Sequence, residues 1–408
     1  MNRMASIAAF SLCAAIVSTA FAQTPVPTSG PAEGGSPAWT LKGSFPDPGG
    51  RTSVDANGVV TVLQRPEGAA PAPVTISLAR GCRGTLVCQN RNGPARGQMQ
   101  RVLWEENLGY NYTYPIHLPA GTGGVPAVAL DSKNNLWVYQ RKPEGLPQLY
   151  KYDPRGKLIQ TIPDSVTGHA EKAHGMAIDA EDNIWILDTT RATVKKISPA
   201  GKVIQTIGVD GRPGDWNEAR GQRLLWQPVM IAFAPNGDIF IAQGHGNESP
   251  NDVDSDDPLN NIGAPRILHL DKTGKYKNQW YGHNVGPGKF LNAHALAVDP
   301  KTGDVWIGDR EDYRIVIYNS AGQFLRTIQT RNLVCAIQFD ADGEPWMASG
   351  QDGQFLKLNR EGRVIGAVGK GMGIGVGEFI EASYWVFDKQ NNLYAGDTSV
   401  GRVTVMKK

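Results

Sequence analysis

His174-Gly-Met-Ala-Ile-Asp179, Asn183-Ile-Trp-Ile-Leu-Asp188, Thr193-Val-Lys-Lys-Ile197 and Lys202-Val-Ile-Gln-Thr-Ile207 follow one another with only turns between them. Each stretch is short, apolar and rich in β-branched residues, which suits a strand. The third and fourth are joined by Ser198-Pro-Ala-Gly-Lys202, a tight turn whose glycine tolerates positive φ. The unit therefore reads as four antiparallel strands. It recurs. Pro126 to Asp131 leads into Leu136-Trp-Val-Tyr139, and Val229 to Ala234 into Ile239-Phe-Ile241. His294 to Asp299 leads into Val305-Trp-Ile307, Cys335 to Asp340 into Pro345-Trp-Met347, and Ser383 to Asp388 into Leu393-Tyr-Ala395. Six such units predict an all-β fold: a six-bladed β-propeller of four-stranded antiparallel blades, in which each sheet is covered by its neighbours. The sixth unit supplies three strands before Lys408. Its fourth is expected from earlier in the chain, at Met99 to Trp104, closing the ring.

Outward from the repeats, the expected domains are a signal peptide over 1–22, a disordered leader over 23–50, an N-terminal extension over 51–94 and the propeller over 95–408. Arg3, the apolar run Ile7 to Ala20 and Ala20-Phe21-Ala22 have the order of a cleavable secretory signal. The expected location is periplasmic or secreted, with no membrane span and a monomeric chain. Cys82 and Cys88 close a short loop that an oxidising compartment would allow to form a disulfide. A formal charge of +2, from 41 basic and 39 acidic side chains, excludes an electrostatic nucleic-acid surface. The 48 glycines suit many short strands joined by tight turns. The third unit carries an inserted loop, Asn247 to Gly263, in which Asp252, Asp254, Asp256 and Asp257 make calcium binding possible. They lack the spacing of a known calcium loop, so a solvated loop is the expectation.

Aligned on the end of the first strand, the six units place Pro126, His174, Val229, His294, Cys335 and Ser383 at one phase. In a propeller the first strand lines the central channel, so these six ring one mouth of it. His174, His294 and Cys335 are the candidate metal ligands, since imidazole and thiolate suit zinc or a similar divalent metal. For Cys335 the plainer reading is a small buried hydrophobe. The second strand runs back toward the same mouth and brings Arg141, His245 and Arg310 near the ring. Arginines there would clamp a carboxylate or steady developing negative charge. The recurrent Trp185, Trp306 and Trp346 read as blade core. His117, His169, His269 and His283 have no partner in register and read as structural.

These units resemble the NHL repeats of β-propellers. More narrowly, His294-Ala-Leu-Ala-Val-Asp299, Asp309-Arg-Glu-Asp-Tyr-Arg-Ile315, Ala173-His-Gly-Met-Ala-Ile-Asp179 and Val138-Tyr-Gln-Arg141 are similar to motifs of the peptidyl-α-hydroxyglycine α-amidating lyases. The step of 16 residues between His294 and Arg310 matches that family's step from a metal histidine to a catalytic arginine. The resemblance implies a zinc held by three histidines, Arg141 on the substrate carboxylate and Arg310 on its oxygen. The chain departs at two places. Gln243-Gly-His245 stands where the family has Asp-Gly-Tyr with a catalytic tyrosine, so His245 is the expected base. Ser383 falls where the family has its third metal histidine, and Tyr384 where it has an acidic residue tied to calcium. His245 or Cys335 would then complete the metal site. The function that follows is a metal-dependent carbon–nitrogen lyase acting on a small-molecule or peptide-derived carbinolamide or hydroxy acid at the channel mouth. The alternative is a non-catalytic propeller that binds a ligand or a protein.

Overall fold

The computed structural model describes residues 103–408 except 114, 142–145, 169–171, 246–264, 283–287, 311 and 331, together with the backbone of short strands before residue 103. The stretch 1–22 expected to be a signal peptide, Cys82, Cys88, His169, His283 and the acidic loop at 252–257 lie outside the described residues. Ahead of the propeller, Thr40–Leu41 and Arg51–Val54 flank Val60–Gln64 in a three-stranded sheet. Among the described residues no helix is long and apolar enough to cross a membrane.

The expected propeller is present: six four-stranded antiparallel sheets, each numbered outward from the channel. Blade one runs from Ala127–Leu130 to Leu158–Pro163, blade two from Ala173–Ile178 to Val203–Gly208 and blade three from Pro228–Phe233 to Tyr276–Tyr281. Blade four runs from Ala293–Val298 to Phe324–Gln329, and blade five from Ala336–Phe339 to Val364–Val368. Blade six uses Ala382–Phe387, Leu393–Asp397 and Val400–Lys407, with Asn111–Tyr112 as its outermost strand.

The ring is thus closed by an N-terminal strand, but at a different place from the one expected. Tyr112 faces Met406 and Asn111 faces Lys407, and the pairing continues through Thr113 N to Val405 O at 3.0 Å and Ile116 N to Val403 O at 2.8 Å. Of the stretch Met99 to Trp104, Gln100–Val102 pairs instead with Thr75–Ser77. Trp104 is held on blade five, where its N–H donates to Gln354 Oε1 at 2.8 Å and its indole N–H to Asn332 Oδ1 at 3.0 Å. The chain must first cross blade five, where Tyr110 packs edge-on against Trp346, before it reaches blade six.

Blades other than the third share one stabilising device. An aspartate at the end of the inner strand accepts the N–H groups of the following turn, as Asp179 does from Glu181 and Asn183, and Asp340 from Asp342 and Glu344. The same carboxylates accept the indole N–H of Trp185 and Trp346, each at 2.9 Å. Lys196 and Lys357 from the third strand complete the pairs, at 2.8 and 2.9 Å, and lie over the indole faces. Trp185, Trp306 and Trp346 are all buried in the core, as the repeat position implies. Toward the end of the channel where the inner strands finish, Ala129, Ala177, Ala232 and Ala297 leave an apolar cavity of about 400 Å³ lined also by Met176 and Met230. The opposite mouth, where the inner strands begin, is polar.

Candidate metal centre at the channel mouth

His174 and His294 sit at the start of their inner strands, and a β-bulge aims each of them. In blade two Ala173 faces Asp188 while Met176 faces Ile186; in blade four Ala293 faces Asp309 while Ala295 faces Gly308. The inner strand therefore carries one residue more than its partner, which bends it and turns a side chain toward the channel. Blades three and six have the same irregularity, between Pro228 and Met230 and between Ala382 and Trp385.

Both imidazoles are buried and fixed by backbone of the next blade. Nδ1 of His174 donates to Val229 O at 2.9 Å, and Nδ1 of His294 to Cys335 O at 2.7 Å. With Nδ1 carrying the proton, Nε2 is left as the lone-pair donor, which is the arrangement a ligating histidine needs. Gly175 makes the first of these contacts accessible: a Cβ there would lie 2.4 Å from Val229 O.

His245 comes from a different element. It follows the second strand of blade three, Ile239–Gln243, after Gly244 at φ 99°. That left-handed step folds the chain back over the mouth. The three rings meet: His174 and His245 centroids are 4.8 Å apart, His174 and His294 4.8 Å, and His245 and His294 5.2 Å. One ring nitrogen from each lies within 4.8 Å of the others. A tetrahedral zinc with Zn–N of about 2.0 Å spans roughly 3.3 Å between ligands, so the imidazoles close on an ion by small side-chain rotations. Three neutral nitrogen donors, two of them with the other ring nitrogen fixed on a carbonyl, fit a zinc-class ion.

Cys335 does not join this group. It is 1 % exposed and belongs to the apolar core, and its backbone carbonyl accepts from Nδ1 of His294. The third position of the triad falls to His245. At blade six Tyr384, at the position that Gly175 has in blade two, is in contact with the rings. Tyr384 stacks nearly parallel to His294 at 9°, packs against His174 with centroids 5.4 Å apart, and donates its hydroxyl to His294 O. It forms the floor of the site. It directly follows Ser383, the residue that shares the phase of His174 and His294.

The arginines stand where the second strands end. Arg141 Nε donates to Ala173 O at 2.9 Å, next to His174. Arg310 Nη1 donates to Nε2 of His294 at 2.9 Å. Behind it, Asp309 accepts the N–H groups of Leu291 and Asn292 at 2.9 and 2.8 Å and is paired with Arg314. This fixes the chain on both sides of the His294–Arg310 contact. Burial and the Asp312 charge push the Asp309 carboxyl up, against the pull of Arg314.

Every imidazole of the triad is held neutral. Burial comes first for all three. For His174 the neighbouring His245 and Arg141 add to it, and for His294 the Arg310 guanidinium and His174 do. His245 is pushed down to about 3 by burial, then by Arg310, Arg141 and Lys172. Neutral imidazole is the ligating form, so protons do not compete with an ion for these nitrogens at neutral pH. His269 is structural, as its position implied: it bonds Asn278 Oδ1 at 2.8 Å and Asp238 Oδ2 at 3.0 Å. His117 is exposed and away from the mouth.

Comparisons with known proteins agree with this architecture. No family model matches the chain. It is 25% identical over 273 residues to mouse (Mus musculus) peptidyl-glycine alpha-amidating monooxygenase, covering 58% of this chain and 26% of that protein. It is 25% identical over 274 residues to human (Homo sapiens) NHL repeat-containing protein 3, covering 64% and 71%. Peptidyl-alpha-hydroxyglycine alpha-amidating lyase 1 of Drosophila melanogaster is 25% identical over 248 residues, covering 52% and 41%. The chain is therefore similar to NHL-repeat proteins and to amidating proteins, and it spans about a quarter of the mouse monooxygenase. Among solved structures, a gluconolactonase of Xanthomonas campestris superposes with a TM-score of 0.51 at 13% identity, covering 84% of this chain and 98% of that one. A streptogramin B lyase gives 0.50 at 11% identity, covering 73% and 97%. At these identities the structural likeness is one of fold.

Proposed function

We propose that the protein is a metal-dependent, lyase-like propeller whose triad His174, His245 and His294 holds a zinc-class ion beside an anion-binding pair, Arg141 and Arg310. The observation that carries this reading is the convergence of three neutral imidazoles, two of them with Nδ1 fixed on carbonyls, beside two arginines. A bound ion would supply Lewis acidity to a substrate oxygen. Arg141 and Arg310 would hold the carboxylate and balance charge developing on that oxygen. Tyr384 and the blade walls beneath would keep water away from the inner side.

The similarity to amidating lyases suggests an α-hydroxyglycine-type carbinolamide as substrate. Its C–N bond would break, the hydroxyl proton would pass to the departing amide nitrogen, and the products would be an amide and glyoxylate. A second reading, a metal-held receptor for small anions without turnover, is favoured by one specific observation. His245, the residue expected to serve as base, lies within the triad itself. Glyoxylate release from a hippurate-derived α-hydroxyglycine, assayed with and without added zinc, tests the choice. The lyase reading expects release that depends on zinc and falls at least about a hundredfold on replacing Arg141 with methionine, the size of effect that removing one preorganised charge-stabilising donor has. Zinc uptake without any release would leave the receptor reading.

A further inference from the structure

His294 has one lone pair to give, and a guanidinium already occupies it. Its Nδ1 is committed to Cys335 O at 2.7 Å, and its Nε2 accepts from Arg310 Nη1 at 2.9 Å. An ion at the triad needs that same Nε2. Arginine keeps its charge at any pH the protein survives, so it cannot share the site with a cation by giving up a proton. It also cannot retreat inward, because His294 is stacked on Tyr384 and the chain beside Arg310 is pinned by Asp309.

We infer that Arg310 competes with the metal ion for His294, and that the ion, by displacing this guanidinium, creates the anion site at the mouth. The proposal rests on the metal reading above and adds a coupling to it. Once off His294, Nη1 of Arg310 has given up that acceptor, and the guanidinium stands near Arg141 and a cation. A carboxylate answers both the donors and the charge. Ion and carboxylate therefore tighten each other's binding, and by linkage the two factors are equal. The ligand class is a small monocarboxylate with a second oxygen able to reach the ion, such as a 2-oxo or 2-hydroxy acid.

The test is a zinc titration at fixed pH, by competition with a chromophoric chelator, of metal-stripped full-length protein and the variants Arg310→Met and Arg310→Lys, with and without glyoxylate. Loss of a charge-assisted hydrogen bond from the competing side should make Arg310→Met bind zinc about ten- to a hundredfold tighter than wild type when no carboxylate is present. Glyoxylate should tighten zinc binding to wild type by about fivefold or more and leave Arg310→Met nearly unchanged. Arg310→Lys keeps the charge without the planar fork and should fall between them, which also covers a methionine variant that fails to fold. Equal zinc affinity in wild type and Arg310→Met, or equal tightening of both by glyoxylate, would overturn the coupling while leaving the metal site intact. If none of the three proteins takes up zinc, the metal reading itself fails, and this proposal with it.

Discussion

His245→Ala should lose zinc-class metal from the channel mouth while keeping its fold. Substituting an outer-shell partner of a metal ligand commonly lowers affinity 10- to 100-fold, so removing a ligand outright should cost more than about a hundredfold. The ring packs on His174 and His294 at the mouth, outside the apolar clusters that join the blades, so thermal stability without metal should change little. The measurement is zinc affinity by competition alongside the unfolding temperature in chelator. Were His245 a base and not a ligand, the variant would keep its zinc and lose only turnover. Retention of both would make His245 a bystander.

The second large effect is on stability against pH, with metal removed. All three imidazoles are held below their ordinary pKa in the folded protein, His245 at about 3. In the unfolded chain they take up protons near pH 6.5. Below that value the unfolded state binds protons that the folded state refuses, so stability is fully present above about pH 6.5 and is lost as the pH falls. Each histidine contributes a loss of about 1.4 kcal/mol per pH unit until its folded pKa is reached. Denaturant unfolding between pH 7.5 and 5 should show this decline. The triple variant with asparagine at 174, 245 and 294 should show a clearly shallower one. Parallel slopes would mean that the imidazoles are already charged in the folded protein.

The repeat phase made most of this site legible from sequence. His174 and His294 share a position in alternate units, and Arg141 and Arg310 share the end of the following strand, so period alone brought four residues to one mouth. What period does not encode is local irregularity. Tyr384, one residue past the shared phase, packs on His174 and His294. One left-handed glycine carries His245 back over the channel, and the sequence could place it nearby without saying whether it ligates. Cys335 shares the histidines' phase but packs in the apolar core, apart from the triad. The closing strand was misplaced for a different reason. The segment from Trp104 to Tyr112 is spent crossing blade five, held by Asn332, Gln354 and Trp346, before it pairs with Val400–Lys407.

The most direct test of the triad is X-ray absorption spectroscopy on zinc-loaded protein. The account predicts one zinc per chain with three imidazole nitrogens at about 2.0 Å, a light-atom fourth ligand and no sulfur, falling to two imidazoles or to no bound zinc in His245→Ala. A sulfur scatterer at about 2.3 Å, or a wild-type spectrum unchanged by the His245 substitution, would contradict it.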